Sequence, residues 1–135
     1  MINKKYLKKL RCKEINNKNN FIFDLYNKRI IDSIDIISLD FKNILILGDH
    51  GTKTHKYIQK KFIDSLITIY DFKNIGKKTI IDKNVKKKSF DLDLWKEKPN
   101  KYDLILSNFF LNLSDNLEKI LNKILISLVP NGFFI

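Results

Sequence analysis

The chain has 135 residues, an apolar fraction of 44% and a formal net charge of +11. That length suits one domain with one core, and ten Phe with five Tyr exclude a disordered composition. No apolar run reaches the roughly 20 residues that cross a bilayer, and the basic start "MINKKYLKKLRCKE" lacks the apolar centre of a secretory signal. A lone Cys12 excludes an internal disulfide and fits a reducing, cytoplasmic compartment.

Residues 4–14 form a basic, weakly amphipathic stretch, and "NNKNN" after it reads as a loop. Residues 1–20 are therefore taken as a basic N-terminal segment ahead of a domain spanning 21–135. Phe21, Leu25, Ile30, Ile34 and Ile37 lie close to helical spacing and predict a leading helix. "FKNILILG" is a short continuous apolar run, as in a parallel strand covered on both faces. Thr52 or Thr54 can cap the next helix, whose inner face includes Tyr57, Ile58 and Phe62. "LITIYD" (Leu66–Asp71) reads as a second strand ending on an acid.

Phe72 to Lys88 has a mid-segment glycine, many lysines and no clean period, which predicts a loosely packed connection with one short helix. "SFDLD" (Ser89–Asp93) is taken as a short third strand, and Tyr102–Ser107 as a fourth after a Pro-Asn turn. The strongest helix follows. Asp115 and Glu118 have capping-box spacing, with Ser114 as the alternative cap. Leu117, Ile120, Leu121, Ile124, Leu125 and Leu128 then form one apolar stripe. Pro130, Asn131 and Gly132 end that helix, and "FFI" starts a fifth strand.

Strands alternating with helices imply right-handed βαβ units, hence an α/β, Rossmann-like parallel sheet with flanking helices. Ligands of such sheets sit beyond the carboxyl ends of the strands. The polar residues there are Gly48 to Gly51, Asp71, Asp91, and Ser107 with Asn108.

The order of these residues resembles that of class I S-adenosylmethionine-dependent methyltransferases (methyltransferase type 11). Within that family the likeness is to the members that include the biotin-pathway malonyl-carrier-protein methyltransferase and the respiratory complex I assembly factor. The resemblance runs from about Phe21 to Ile135 and is most specific over "KYDLILSNFFLNLSDNLEKILNKILISLVPNGFFI". Asp103, Ser107, Asp115, Leu117, Pro130 and Gly132 fall where the family's pattern wants them. The resemblance implies S-adenosylmethionine as cofactor and a small acyl, carboxylate or protein substrate. It implies cofactor contacts from Gly48, Asp49, Gly51, Asp71, Asp91, Leu92 and Ser107.

Two acids have independent physical support. A carboxylate ending the second strand can accept both ribose hydroxyls of a nucleotide, and Asp71 lies 23 residues after Gly48, near the roughly 20-residue offset of dinucleotide folds. An Asp after a strand is also an ordinary turn former. Asp91 matches the family's acid for the adenine amino group, with Leu92 along the adenine face, and Asp93 competes for the same place.

The glycine loop departs from the pattern. The family has an acid two residues before its first glycine and glycines at alternate positions, where this chain has Ile46, Gly48, His50 and Thr52, with Gly51 displaced by one. The His50 ring either covers the methionine end of a cofactor or blocks it. "FFLNL" puts Asn112 and Leu113 where relatives often carry a His-Trp pair, so no catalytic residue is named. The chain also stops at its fifth strand, short of the family's last two. The fold expected is thus an incomplete class I one, its sheet edge covered by C-terminal strands outside this sequence or by a protein partner. The alternative function is a non-catalytic interaction or assembly module.

Other classes are weaker. Lys, Ile and Asn supply 61 residues and Arg only two; A/T-rich codons explain much of that lysine, and base readout favours Arg. This argues against nucleic acid as the partner. His50 and His55, five apart without a third ligand, do not define a metal site. "GDHGTK" lacks the G-x-G-x-x-G spacing of nicotinamide-binding loops.

Overall fold

A computed structural model describes residues 3, 5–6, 21–48, 53–71, 78–89 and 91–135. Cys12, nearly all of the basic N-terminal segment, residues 49–52 of the glycine loop and residues 72–77 lie outside these.

The elements in chain order are α1 (Phe21–Ile36), β1 (Asn43–Leu47), α2 (Lys53–Lys61), β2 (Leu66–Asp71), β3 (Lys78–Asp82), β4 (Val85–Ser89), β5 (Tyr102–Ser107), α3 (Leu117–Ser127) and β6 (Leu128–Phe134). Short 3₁₀ turns occupy Leu92–Leu94 and Leu111–Leu113. The strands form one sheet in the order β3-β4-β2-β1-β5-β6. All its pairings are parallel except β3 with β4. This is the α/β, Rossmann-like architecture expected.

Alternation along the strands splits the core into two layers. Ile44, Ile46, Ile67, Ile69, Leu104 and Leu106 face α1 and α2, meeting Ile30, Ile34, Ile58 and Phe62. Leu45, Leu47, Tyr70 and Ile105 face the other way, against Ile120 and Ile124 of α3, Leu92, Trp95, Phe110 and Leu113. Each fully buried aliphatic side chain contributes about 1.5–3 kcal/mol. In α1 the buried edge is Asn27, Ile30 and Ile34. Phe21 and Leu25, expected on that stripe, are exposed because they lie a third of a turn or more away round the helix.

The segment expected to be a loose connection contains a hairpin. Asp82 Oδ1 accepts from the Lys83 amide at 2.6 Å, and the chain reverses so that Ile80 pairs with Lys86 and Asp82 with Val85. β4 is "VKKKS", in which Val85 and Ser89 are buried while Lys86 and Lys88 are exposed. The third parallel strand is therefore Val85–Ser89 and not Ser89–Asp93. Its lysines hide the period-2 pattern because the apolar partners sit on β2.

The last crossover also shifts. Asn116, not Asp115 or Ser114, caps α3, accepting from the Lys119 amide at 2.9 Å. Ser114 Oγ instead accepts from the Asn116 amide at 3.0 Å. Only Ile120, Ile124 and Ser127 of α3 are buried, so one narrow ridge meets the sheet and Leu117, Leu121 and Leu125 face outward. The helix ends before the Pro-Asn-Gly sequence, which bulges from β6. The ladder passes from Leu128 to Phe133 while β5 advances only from Tyr102 to Leu104, and Asn131 takes φ 64° to make the bend.

Candidate functional site

The strand order reverses about β1, which has β2 on one side and β5 on the other. A ligand crevice forms beyond the carboxyl edge at such a point, and Gly48, Asp71 and Ser107 stand at the ends of β1, β2 and β5.

Gly48 is held by two constraints. Its φ of +79° is a conformation that side chains rarely adopt, and a Cβ there would stand 2.8 Å from the Asn108 carbonyl oxygen and 3.0 Å from Phe110 Cβ. Backbone bonds fix the junction, with the Gly48 amide donating to the Tyr70 carbonyl at 2.8 Å and the Asn108 amide to the Leu47 carbonyl at 3.0 Å. The chain leaves β1 along a path that only glycine permits without strain. Asp49 and Gly51 belong to the part of this loop outside the described residues.

Asp71 is buried at 5% exposure, and Lys87 Nζ from the adjacent β4 lies 2.7 Å from its Oδ2. The acid expected to face a ribose thus already carries a cation on one oxygen. Tyr70 beside it turns to the opposite layer, where burial and a hydrogen bond with Tyr102 push its pKa far above the ordinary value, so the phenol stays protonated.

Ser107 is half-buried and its amide donates to the Ile135 carbonyl at 2.8 Å. Asp91, half-buried, caps the turn after β4 by accepting from the Asp93 amide at 3.1 Å. Asp93 is engaged elsewhere, accepting from Ser114 Oγ at 2.5 Å and from the Asp115 amide at 3.2 Å. Leu92 is fully buried among Leu45, Tyr70 and Trp95 and presents no open face. The structure brings Gly48, Asp71 and Ser107 to one edge, with Asp91 on the loop that follows β4.

Three residues carry more than their sequence context suggests. Asn27 of α1 is 2% exposed, and its Oδ1 accepts from Thr54 Oγ1 at 2.8 Å and from Asn108 Nδ2 at 2.6 Å. Its place one turn before Ile30 and two before Ile34, on the buried edge, is the signal that could have found it. Lys87 is hidden in a run of three lysines, where only strand register singles it out. Phe109 holds φ 53°, uncommon for a bulky residue, with its ring edge-on to Phe23 at 5.2 Å and Tyr26 at 4.4 Å.

Among the described residues no group of three or more His, Cys, Asp or Glu is placed to hold a metal ion, and no helix is long and apolar enough to cross a membrane. His55 is buried. A cavity of about 240 Å³ between Asp40, Lys42, Lys61 and Asp64 lies at the amino ends of the strands, away from this edge.

No family model matches the chain, and no curated protein matches it significantly. Solved structures do. The plantazolicin methyltransferase BpumL, in complex with a triazolic desmethylPZN analogue and SAH, superposes with a TM-score of 0.63 at 17% identity, covering 89% of this chain and 48% of that one. The same enzyme with a pentazolic analogue and SAH gives equal values. Coclaurine N-methyltransferase, bound to N-methylheliamine and SAH, gives a TM-score of 0.56 at 20% identity, covering 84% of this chain and 33% of that one. The chain thus spans half or less of the length of these neighbours. It has the fold of S-adenosylmethionine-dependent methyltransferases.

Proposed function

We propose that this chain is the cofactor-binding part of an S-adenosylmethionine-dependent methyltransferase acting on a small acyl, carboxylate or protein substrate. The observation that carries the reading is the strand end at Gly48, a positive-φ glycine whose missing Cβ lets the Asn108 carbonyl and Phe110 close against the end of β1, one strand away from the buried carboxylate of Asp71. These residues fit the group. Asp71 would accept the ribose hydroxyls beside its ion pair with Lys87, Asp91 would receive the adenine amino group, and the buried Leu92 would support the loop behind the adenine ring. Gly48, Asp49 and Gly51 would line the backbone path beside the methionine end, with Ser107 at its far side.

The cofactor, when bound, supplies a methyl group on a sulfonium. The chain's part is positioning and exclusion of water, which by themselves lower such a barrier substantially, and no described side chain at this edge is needed as a base.

One observation favours a second reading, a non-catalytic interaction or assembly module. The Asp71–Lys87 ion pair satisfies the acid without any ligand.

NMR shift mapping with S-adenosylhomocysteine separates the two. Saturable shifts at Gly48, Asp71 and Ser107 are expected if the site binds cofactor. Unchanged spectra at millimolar ligand, in a folded chain, would favour the module.

A further inference from the structure

We propose that Asn27 is a positioning residue through which α1 clamps the two chain segments flanking the glycine path, so that the leading helix sets the order of the ligand-binding edge. The proposal rests on the methyltransferase reading only for the identity of the ligand.

The first half of α1 reaches this edge through five side-chain contacts. Asn27 Oδ1 accepts from Thr54, in the first turn of α2, and from Asn108, immediately after β5. Asp24 pairs with Lys53 at 2.7 Å, also in the first turn of α2. Phe23 and Tyr26 pack against Phe109. These contacts converge on the residues that follow Gly48 in sequence and on those that press against it in space.

The network is too polar to serve packing alone. Asn27, Thr54 and Asn108 are 2%, 1% and 3% exposed, and an apolar trio would avoid burying so many polar atoms. It also carries an unmet demand, because Asn108 Oδ1 is buried without a hydrogen-bond partner among the described residues, and the next residue, Phe109, sits in a left-handed conformation. Orphaned acceptors and bulky positive-φ residues are costly and persist where surrounding structure holds them. Here that structure is α1. With the acceptor on Asn27 removed, the Asn108 side chain loses its bond to α1, and the carbonyl that packs against Gly48 is held less firmly.

The test is amide hydrogen exchange in the ligand-free protein, with calorimetric titration of S-adenosylhomocysteine alongside. The variants are Thr54→Val, Thr54→Ser, Asn27→Ala and a core control on the opposite layer, Ile124→Val. Thr54→Val is expected to speed exchange at the Gly48 and Asn108 amides about tenfold, and to weaken ligand binding by a similar factor. Thr54→Ser, which keeps the hydroxyl, restores both, Asn27→Ala behaves at least as severely as Thr54→Val, and Ile124→Val leaves those two amides no faster than the rest of the sheet. Equal, global acceleration in all variants would overturn the clamp. A wild-type chain that binds no ligand, while Thr54→Val still loosens these two amides alone, would sink the cofactor reading and support the clamp.

Discussion

Lys87 and Asp71 form an ion pair across neighbouring parallel strands, Nζ to Oδ2 at 2.7 Å, with the carboxylate side chain 7% and the lysine side chain 28% exposed. Removing one partner leaves the other's charge in a poorly hydrated place. Lys87→Met should lower unfolding stability by about 2 kcal/mol in urea titrations, less than a fully buried pair because the lysine keeps some water. The same change removes a cation that competes with ribose hydroxyls for the Asp71 carboxylate. Lys87→Met should therefore bind S-adenosylhomocysteine several-fold more tightly than the wild-type chain, about 1 kcal/mol. Weaker binding would make Lys87 a ligand contact and not a competitor.

Gly48 has little tolerance for a side chain. Gly48→Ala meets both the positive φ and the Asn108 carbonyl at 2.8 Å, so thermal unfolding should show a loss of about 2–3 kcal/mol. Relief would require β1 and the Asn108 segment to separate, which also disturbs this strand end. A Gly48→Ala variant of wild-type stability would mean that the junction is softer than its geometry indicates.

Asp103 matched the family's pattern in the sequence, and the structure gives its physical role. Its two carboxylate oxygens accept from the Lys42 and Asn43 amides, each at 2.8 Å, tying the start of β1 to the start of β5. Asp103→Ala should cost about 1–2 kcal/mol in chemical denaturation, and Asp103→Asn about half of that, since one good acceptor remains. Ligand affinity should be unaltered, because these bonds lie at the amino ends of the strands.

Acid stability should report Asp35. Its carboxylate accepts from Lys61 at 2.5 Å and from the Tyr57 hydroxyl, and these bonds, that to Lys61 foremost, hold its pKa below the ordinary 3.8. A depressed folded value means that the contribution is present above the unfolded pKa and is lost as pH falls through the folded one. Asp35→Asn should flatten the decline of the urea midpoint below about pH 4. Identical acid limbs in the two proteins would remove Asp35 from that account.

The sequence made the central sheet legible because its strands are short apolar runs. "NILIL", "LITIY" and "YDLIL" each bury both faces, and periodicity places them without help from their neighbours. β4 was not legible for the opposite reason, since three of its five residues are lysines at the side of the sheet and burial is confined to Val85 and Ser89. The helix after β5 was visible but its packing was not. A stripe records what a helix can bury, and only Ile120 and Ile124 meet the sheet, with Leu117, Leu121 and Leu125 outside the contact. At the candidate site, Gly48 and Asp71 stood out as a strand-ending glycine and acid. Asn27 and Lys87 did not, because an Asn in a helix and a Lys in a lysine run gain meaning only from what the fold puts beside them.

The central claim is that the Gly48–Asp71 edge binds the methyltransferase cofactor. Calorimetric titration with S-adenosylhomocysteine of the wild-type chain, beside Asp71→Ala and Asp71→Asn, tests it most directly. The account predicts saturable binding to the wild type that Asp71→Ala abolishes and Asp71→Asn weakens at least tenfold, the loss of about one charge-assisted hydrogen bond. No heat at millimolar ligand from a demonstrably folded wild-type chain, or equal binding by all three proteins, would contradict it.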